Sequence, residues 1–387
     1  MKSVLYIIFI LIIVVFFALV SYEPNEVTPQ VQDTELQAVQ VLEEEVTIMS
    51  EITESQLVEE KQEIVMVEEE AEVVVEQTAP VKPVPEVAEE PAQEVVVEEV
   101  PQISFTTINE VTREALVNIF CTTKSGGLFK PVTGSGVVID ERGIILTNAH
   151  VAQYFLIEDY VTEDFINCVI RTGSPAKPLY TAKPLFISPS WIKANANGII
   201  QQEPKGTGED DYALLLITGR TDPTKTIPDK FSFIKPFYDS GSITKGDNVL
   251  LAGYPAGFLS GIAISKSLYI SSSVTQVMEV FTFKEGTLDL FSIGGSVVAQ
   301  QGSSGGAVVN DRNELTGIIV TSSVAETTGE RDLRAIAIGH INRSFVKDTG
   351  FNLQALFSSD VSAQADIFNE SLAPALTQLL ENELNKR

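Results

Sequence analysis

Two side chains that do much of protein chemistry are nearly missing from this 387-residue chain: there are two histidines, His150 and His340, and two cysteines, Cys121 and Cys168. Two thiols exclude a disulfide-dense scaffold and a four-cysteine zinc site, and two imidazoles exclude a multi-histidine centre. No metal and no cofactor is therefore expected. Basic residues are also scarce, 26 Lys and Arg against 53 Asp and Glu, for a net charge of −27. A nucleic-acid binder needs a basic face to meet phosphates, so nucleic acid is excluded as a partner. The same charge disfavours a peripheral protein held electrostatically on anionic lipid.

Between Glu23 and Pro101 there is no glycine and no aromatic residue, and that stretch concentrates the charge: 23 acidic residues against Lys61 and Lys82, with seven prolines. Runs such as Glu43-Glu44-Glu45 repel one another, and without aromatics little can be buried. Residues 23–102 therefore read as a disordered acidic spacer. The alternative is a self-associating helix over about 33–77, on which Val39, Leu42, Val46 and Met49 keep a 3-4-3 spacing that Glu60 and Glu63 break. Ahead of it, Val4 to Val20 carries no charge, and Tyr6 holds its one hydroxyl. Residues 1–22 read as a signal anchor that crosses a lipid bilayer through residues 4–20, a cleaved signal peptide being the alternative. Lys2 would stay on the cytoplasmic side and everything downstream would cross.

From Ile103 glycine, aromatics and β-branched residues appear together. Short apolar runs recur at Leu116–Cys121, Gly136–Ile139, Ile144–Thr147, Cys168–Arg171, Tyr212–Ile217, Val249–Ala252, Ser296–Ala299, Ala307–Val309, Gly317–Thr321 and Ala335–Ile338. Many short strands with irregular loops predict an all-β barrel or sandwich, and residues 103–347 are enough for two barrels. Residues 348–387 turn helical. Ser371-Leu372-Ala373-Pro374 looks like a helix start, followed by Leu376, Leu379, Leu380 and Leu384 on one stripe. That helix either packs on the domain or pairs with a second copy of the chain.

Three segments carry chemistry when taken together. Asn148-Ala149-His150 ends a strand, Asp210-Asp211 opens one, and Gly302-Ser303-Ser304-Gly305-Gly306 is a tight turn entering another. A serine hydroxyl needs a neutral imidazole to take its proton, and the imidazole needs a carboxylate on its other nitrogen. Glycines beside the serine let successive N–H groups converge on an oxyanion. The candidate roles are Ser304 as nucleophile, His150 as general base and acid, Asp211 as its partner, and the N–H groups of Gly302 and Ser304 as oxyanion donors. Asp211 is preferred to Asp210 because it abuts the Tyr212-Ala213-Leu214-Leu215 strand.

These segments resemble the chymotrypsin-like (trypsin-fold) serine peptidases and, within them, the bacterial HtrA/Deg-like branch. Thr147-Asn148-Ala149-His150-Val151 is similar to that branch's T-N-x-H-V box, Asp211-Tyr212-Ala213-Leu214-Leu215 to its acidic box, and Gly302-Ser303-Ser304-Gly305-Gly306 to its G-N-S-G-G turn. Gln301 and Ser303 stand where the branch has Pro and Asn. The resemblance implies two six-stranded antiparallel β-barrels, one over about 103–227 and one over about 228–347, with the triad between them. It implies a pocket lined by Val298 and Ala299 with Val320, Thr321 and Ser322 opposite. It also implies that Cys121 and Cys168 lie on neighbouring strands where a disulfide fits; two free thiols are the alternative. His340 would be a structural residue at a strand end, and the roughly 40 residues after the second barrel leave no room for a PDZ domain. The expected activity is hydrolysis of exported or misfolded polypeptides on the outer side of a bacterial cytoplasmic membrane. A non-catalytic relative that binds peptides through the same cleft is the alternative.

Overall fold

The computed structural model describes residues 103–124, 131–201, 206–283, 286–322 and 332–386. The expected bilayer span at residues 4–20 and the acidic spacer at 23–102 lie outside them. Among the described residues no helix is long and apolar enough to cross a membrane.

The described chain begins with helix α1 (Phe105–Ala115), which the Ser104 hydroxyl caps by accepting the Thr107 N–H at 3.2 Å. Ile108, Thr112 and Ala115, spaced four and three apart, are its buried face. Six antiparallel strands follow: β1 (Leu116–Thr123), β2 (Val132–Asp140), β3 (Ile144–Thr147), β4 (Ile166–Thr172), β5 (Lys177–Ile187) and β6 (Ala213–Arg220). They close into a barrel in the order β1-β2-β3-β6-β5-β4. Short helices α2 (Ala149–Ala152) and α3 (Pro189–Asn195) sit in its connections. Cys121 on β1 lies directly opposite Cys168 on β4, and the two form a disulfide. It closes a loop of 47 residues, so chain entropy predicts that Cys121→Ser with Cys168→Ser destabilises the fold by about 3–4 kcal/mol. Urea unfolding of the double variant beside wild type measures this; equal midpoints would refute it.

The second sheet contains β7 (Lys235–Pro236), β8 (Asn248–Gly253), β9 (Ser271–Gln276), β10 (Glu279–Phe281), β11 (Leu290–Gly294), β12 (Ala307–Val309), β13 (Glu314–Ser322) and β14 (Leu333–Ala337), with helix α4 (Gly261–Lys266) between β8 and β9. Its ladder runs β10-β11-β14-β13-β12-β8-β9, and two-residue β7 pairs with β13 from outside that path. The two ends of the ladder, β9 and β10, are consecutive in the chain. Met278, between them, donates its N–H to the Ser292 carbonyl at 2.8 Å, and the Thr275 hydroxyl reaches the Ile293 carbonyl at 3.2 Å. One bent segment thus pairs with β8 through its first half and with β11 through its second, which closes a six-stranded second barrel. The all-β double barrel of the trypsin-like fold is the result.

Two readings of the sequence need correction. Ser296–Ala299 is not a strand: β11 ends at Gly294, and the following turn drops Val298 and Ala299 into the second barrel's core. The carboxyl-terminal region is not one short helix but four: α5 (Ile338–Thr349), α6 (Leu353–Ser358), α7 (Val361–Glu370) and α8 (Leu372–Leu384). Helix α5 begins directly after β14, so Ile338 leaves the strand and His340 stands in a first helical turn. The helical spacing of Ile338, Ile341 and Phe345, all buried, fixes this, and Gly350 ends the helix with a left-handed φ of 83°. The later helices return to the first barrel. Asn369 Nδ2 donates to the Pro184 carbonyl at 2.6 Å, Lys183 pairs with Asp366, and the Thr377 hydroxyl meets the Leu156 carbonyl at 2.8 Å. Leu376, Leu379, Leu380 and Leu384 are all buried on this face.

Candidate active site

Register explains why His150 meets Asp211. Strands β3 and β6 are antiparallel with Ile144 opposite Leu216 and Thr147 opposite Ala213. Continuing that ladder past its end puts Asp211 level with the residues that follow Thr147. There Asn148 donates its side-chain amide to the Asp211 carbonyl at 2.8 Å, fixing the two chain ends to each other. One Asp211 carboxylate oxygen accepts the His150 backbone N–H at 3.0 Å, and the other lies 2.7 Å from His150 Nδ1. The Asp211 side chain is 7 % exposed and that of His150 30 %. Burial alone would push the imidazole's pKa down. The charge and hydrogen bond of Asp211 outweigh it, so the net shift is upward from the ordinary value.

Asp210 points elsewhere. Its left-handed φ of 57° turns its carboxylate toward α5, where it accepts the Ser344 hydroxyl at 2.5 Å and lies 3.7 Å from His340 Nε2. Burial opposes its ionisation, but hydrogen bonds from His340 and Ser344 and the charge of Lys347 lower its pKa on balance. His340 Nδ1 meets Asp289 at 3.1 Å, and Arg343 reaches the same carboxylate at 2.6 Å. His340 therefore belongs to a buried cluster away from His150.

Ser304 sits in the turn between β11 and β12, and every carbonyl from Gln301 to Ser304 has a donor. Gln301 O accepts from Ala256 N at 2.7 Å, Gly302 O from Ser135 Oγ at 2.8 Å, Ser303 O from Gly306 N at 2.8 Å and Ser304 O from Ser135 N at 2.7 Å. In a trans peptide C=O and N–H point to opposite sides. Holding the Gln301 and Ser303 carbonyls therefore turns the Gly302 and Ser304 N–H groups the other way, and among the described residues neither has an acceptor. Gly302 needs its hydrogen side chain twice over: its φ is 90°, and a Cβ would stand 2.6 Å from the Tyr254 carbonyl. Gly305, at φ 81°, would place a Cβ 2.1 Å from the Ser135 carbonyl and 2.5 Å from Thr147 Oγ1. The Ser304 turn is thus pressed against the strand end that leads to His150. Ser303 is fully buried and its hydroxyl has no partner among the described residues, so other anchors rather than that side chain set the turn's shape.

The residues expected to line the pocket are placed as follows. Val298 and Ala299 are completely buried in the second barrel's core, and Val320, 5 % exposed, packs on the other face of β13 beside Gly208. Thr321 and Ser322 are the last two positions of β13. The apolar side chain of the pre-nucleophile stretch that reaches solvent is Val297, at 59 %. Reasoning from sequence missed Ser135 and Asn148, both fully buried and both bonded across the site.

Residues 134–318 match a family model described as the trypsin-like peptidase domain. The matched span begins at Gly134, two strands before His150, and includes Asp211 and Ser304. Together with the double barrel, the match supports a chymotrypsin-like serine peptidase, a hydrolase of peptide bonds. No curated protein matches the chain.

Proposed function

We propose that this chain is a serine endopeptidase of the HtrA-like branch in which Ser304, His150 and Asp211 form the catalytic triad. The observation that carries this reading is the His150–Asp211 pair, 2.7 Å long with the imidazole 30 % and the carboxylate 7 % exposed, on the strand end packed against the Ser304 turn. In the mechanism, His150 Nε2 takes the Ser304 proton as Oγ attacks the scissile carbonyl, while Asp211 stabilises the imidazolium that forms. The Gly302 and Ser304 N–H groups receive the oxyanion. His150 then protonates the leaving amine, and water, activated by the same imidazole, hydrolyses the acyl-enzyme. Free oxyanion donors favour this reading over a peptide-binding relative with an unformed hole. The substrates would be exported or misfolded polypeptides, met outside the cytoplasm by a domain tethered through residues 4–20 and spaced by the acidic segment.

The experiment is to treat the full chain with a fluorophosphonate and map the adduct by mass spectrometry. A single modification on the peptide containing Ser304 is expected. A folded chain that stays unmodified at mildly alkaline pH would overturn the reading.

A further inference from the structure

Ser135 lies inside β2, fully buried, and is not one of the three triad side chains. Four hydrogen bonds nevertheless converge on it. Its hydroxyl donates to the Gly302 carbonyl at 2.8 Å and accepts the Tyr254 N–H at 2.9 Å. Its N–H donates to the Ser304 carbonyl at 2.7 Å, and its carbonyl accepts the Thr147 hydroxyl at 2.7 Å. Thr147 precedes His150 by three residues. Tyr254 opens the loop whose Ala256 N–H holds the Gln301 carbonyl. One residue of the first barrel therefore ties together the base segment, the nucleophile turn and the loop behind the oxyanion donors.

We propose that Ser135 is a positioning residue for catalysis: its hydroxyl fixes the Gly302–Ser303 peptide, and through it the oxyanion donors, against the His150 segment. The proposal rests on the serine-peptidase reading and deepens it. Of the four anchored carbonyls, three are held by backbone N–H groups and Gly302 alone by a side chain. Removing that hydroxyl leaves the Gly302–Ser303 peptide held only through the Ser303 N–H, on the Gln300 carbonyl at 3.2 Å, and unpairs the Tyr254 N–H. The backbone bond from Ser135 to Ser304 survives, so the barrels stay docked, while the loop from Tyr254 whose Ala256 N–H holds the Gln301 carbonyl loses its pin and the Gly302 donor loses its aim. A misplacement of about 1 Å at a reacting centre costs about 100-fold in rate.

The test measures the second-order rate of fluorophosphonate labelling of the full chain, as a function of pH, beside thermal unfolding. Ser135→Ala is expected to label about 100-fold more slowly. Its apparent pKa should not move, because the His150–Asp211 pair is untouched. Thr349→Val is the matched control. It removes a buried hydroxyl that bonds the Phe345 carbonyl at 2.7 Å at the end of α5, and it is expected to lose stability yet label at the wild-type rate. If Ser135→Ala is unfolded at the assay temperature, Ser135→Cys replaces it, since a thiol has nearly the same shape but donates weakly. A folded Ser135→Ala or Ser135→Cys that labels at the wild-type rate overturns the assignment, and so does equal slowing in Thr349→Val. A wild-type chain that does not label overturns the peptidase reading itself, a separate result.

Discussion

Ser304→Ala and His150→Ala are each expected to lower kcat for peptide hydrolysis by about a million-fold, and the double variant to lower it no further. Equal single losses follow from the way the two groups work. Without the imidazole the hydroxyl keeps its proton at neutral pH, and without the hydroxyl the imidazole has nothing to activate. Neither change should unfold the chain. The Ser304 turn is held by backbone bonds, Ser304 O to Ser135 N and Ser303 O to Gly306 N, which a Ser304→Ala variant keeps. Asp211 would keep its bonds from the His150 N–H and the Asn148 amide in His150→Ala. A residual rate of roughly 10³ to 10⁴ over water should persist in both, because the oxyanion donors still act. Kinetics on a quenched peptide library, at enzyme concentrations set by absorbance, would measure the losses. Additive losses in the double variant, or a His150→Ala enzyme within tenfold of wild type, would show that the two residues do not form a unit.

The three candidate triad residues were legible because each lies in the connection beside one strand, inside a short segment with its own apolar flank. What joins the segments was not. Ser135 meets Gly302 across 167 residues of sequence, and a single buried serine between two glycines carries no label for its partner. The glycines were a usable signal: glycine within a strand marks close approach of another chain segment. A Cβ on Gly134 would fall 2.6 Å from Val151, next to His150. The choice between Asp210 and Asp211 likewise turned on one backbone angle that sequence does not show, the left-handed φ of Asp210.

The missed strands and helices share one cause: tertiary contacts outweigh the local pattern. Strand β5 contains Pro178 and Pro184 and accommodates irregular register beside both β4 and β6. Strand β9 begins Ser271-Ser272-Ser273 and buries none of its residues, so it offers no apolar alternation to read. At Ala337–Ile338 the apolar run is continuous while the spacing switches from strand to helix, and only the later Ile341 and Phe345 reveal the change. The stretch before Ser304 was misread as a strand for a related reason. Val298 and Ala299 look like a strand in sequence, but a turn packs them into the second core and leaves Val297 facing solvent.

Asp211→Asn should lower kcat by about 10⁴-fold and move the acid limb of the pH profile in a defined direction. In the wild-type chain burial lowers the pKa of His150, and the Asp211 charge and hydrogen bond raise it by more. General-base catalysis needs the neutral ring, so the wild-type rate should climb through an apparent pKa above the ordinary histidine value of about 6.5. An asparagine at 211 removes the raising contributions and leaves burial. The limb should then shift to lower pH even as the plateau falls. The two effects have separate origins: the plateau reports tautomer and imidazolium stabilisation, the midpoint reports charge. Asp210→Asn provides the contrast, because that carboxylate contacts Ser344 and His340 and does not touch His150. It should weaken the packing of α5 while leaving the midpoint in place. A lower plateau with an unmoved midpoint in Asp211→Asn, or a shifted midpoint in Asp210→Asn, would reassign the carboxylate that governs His150.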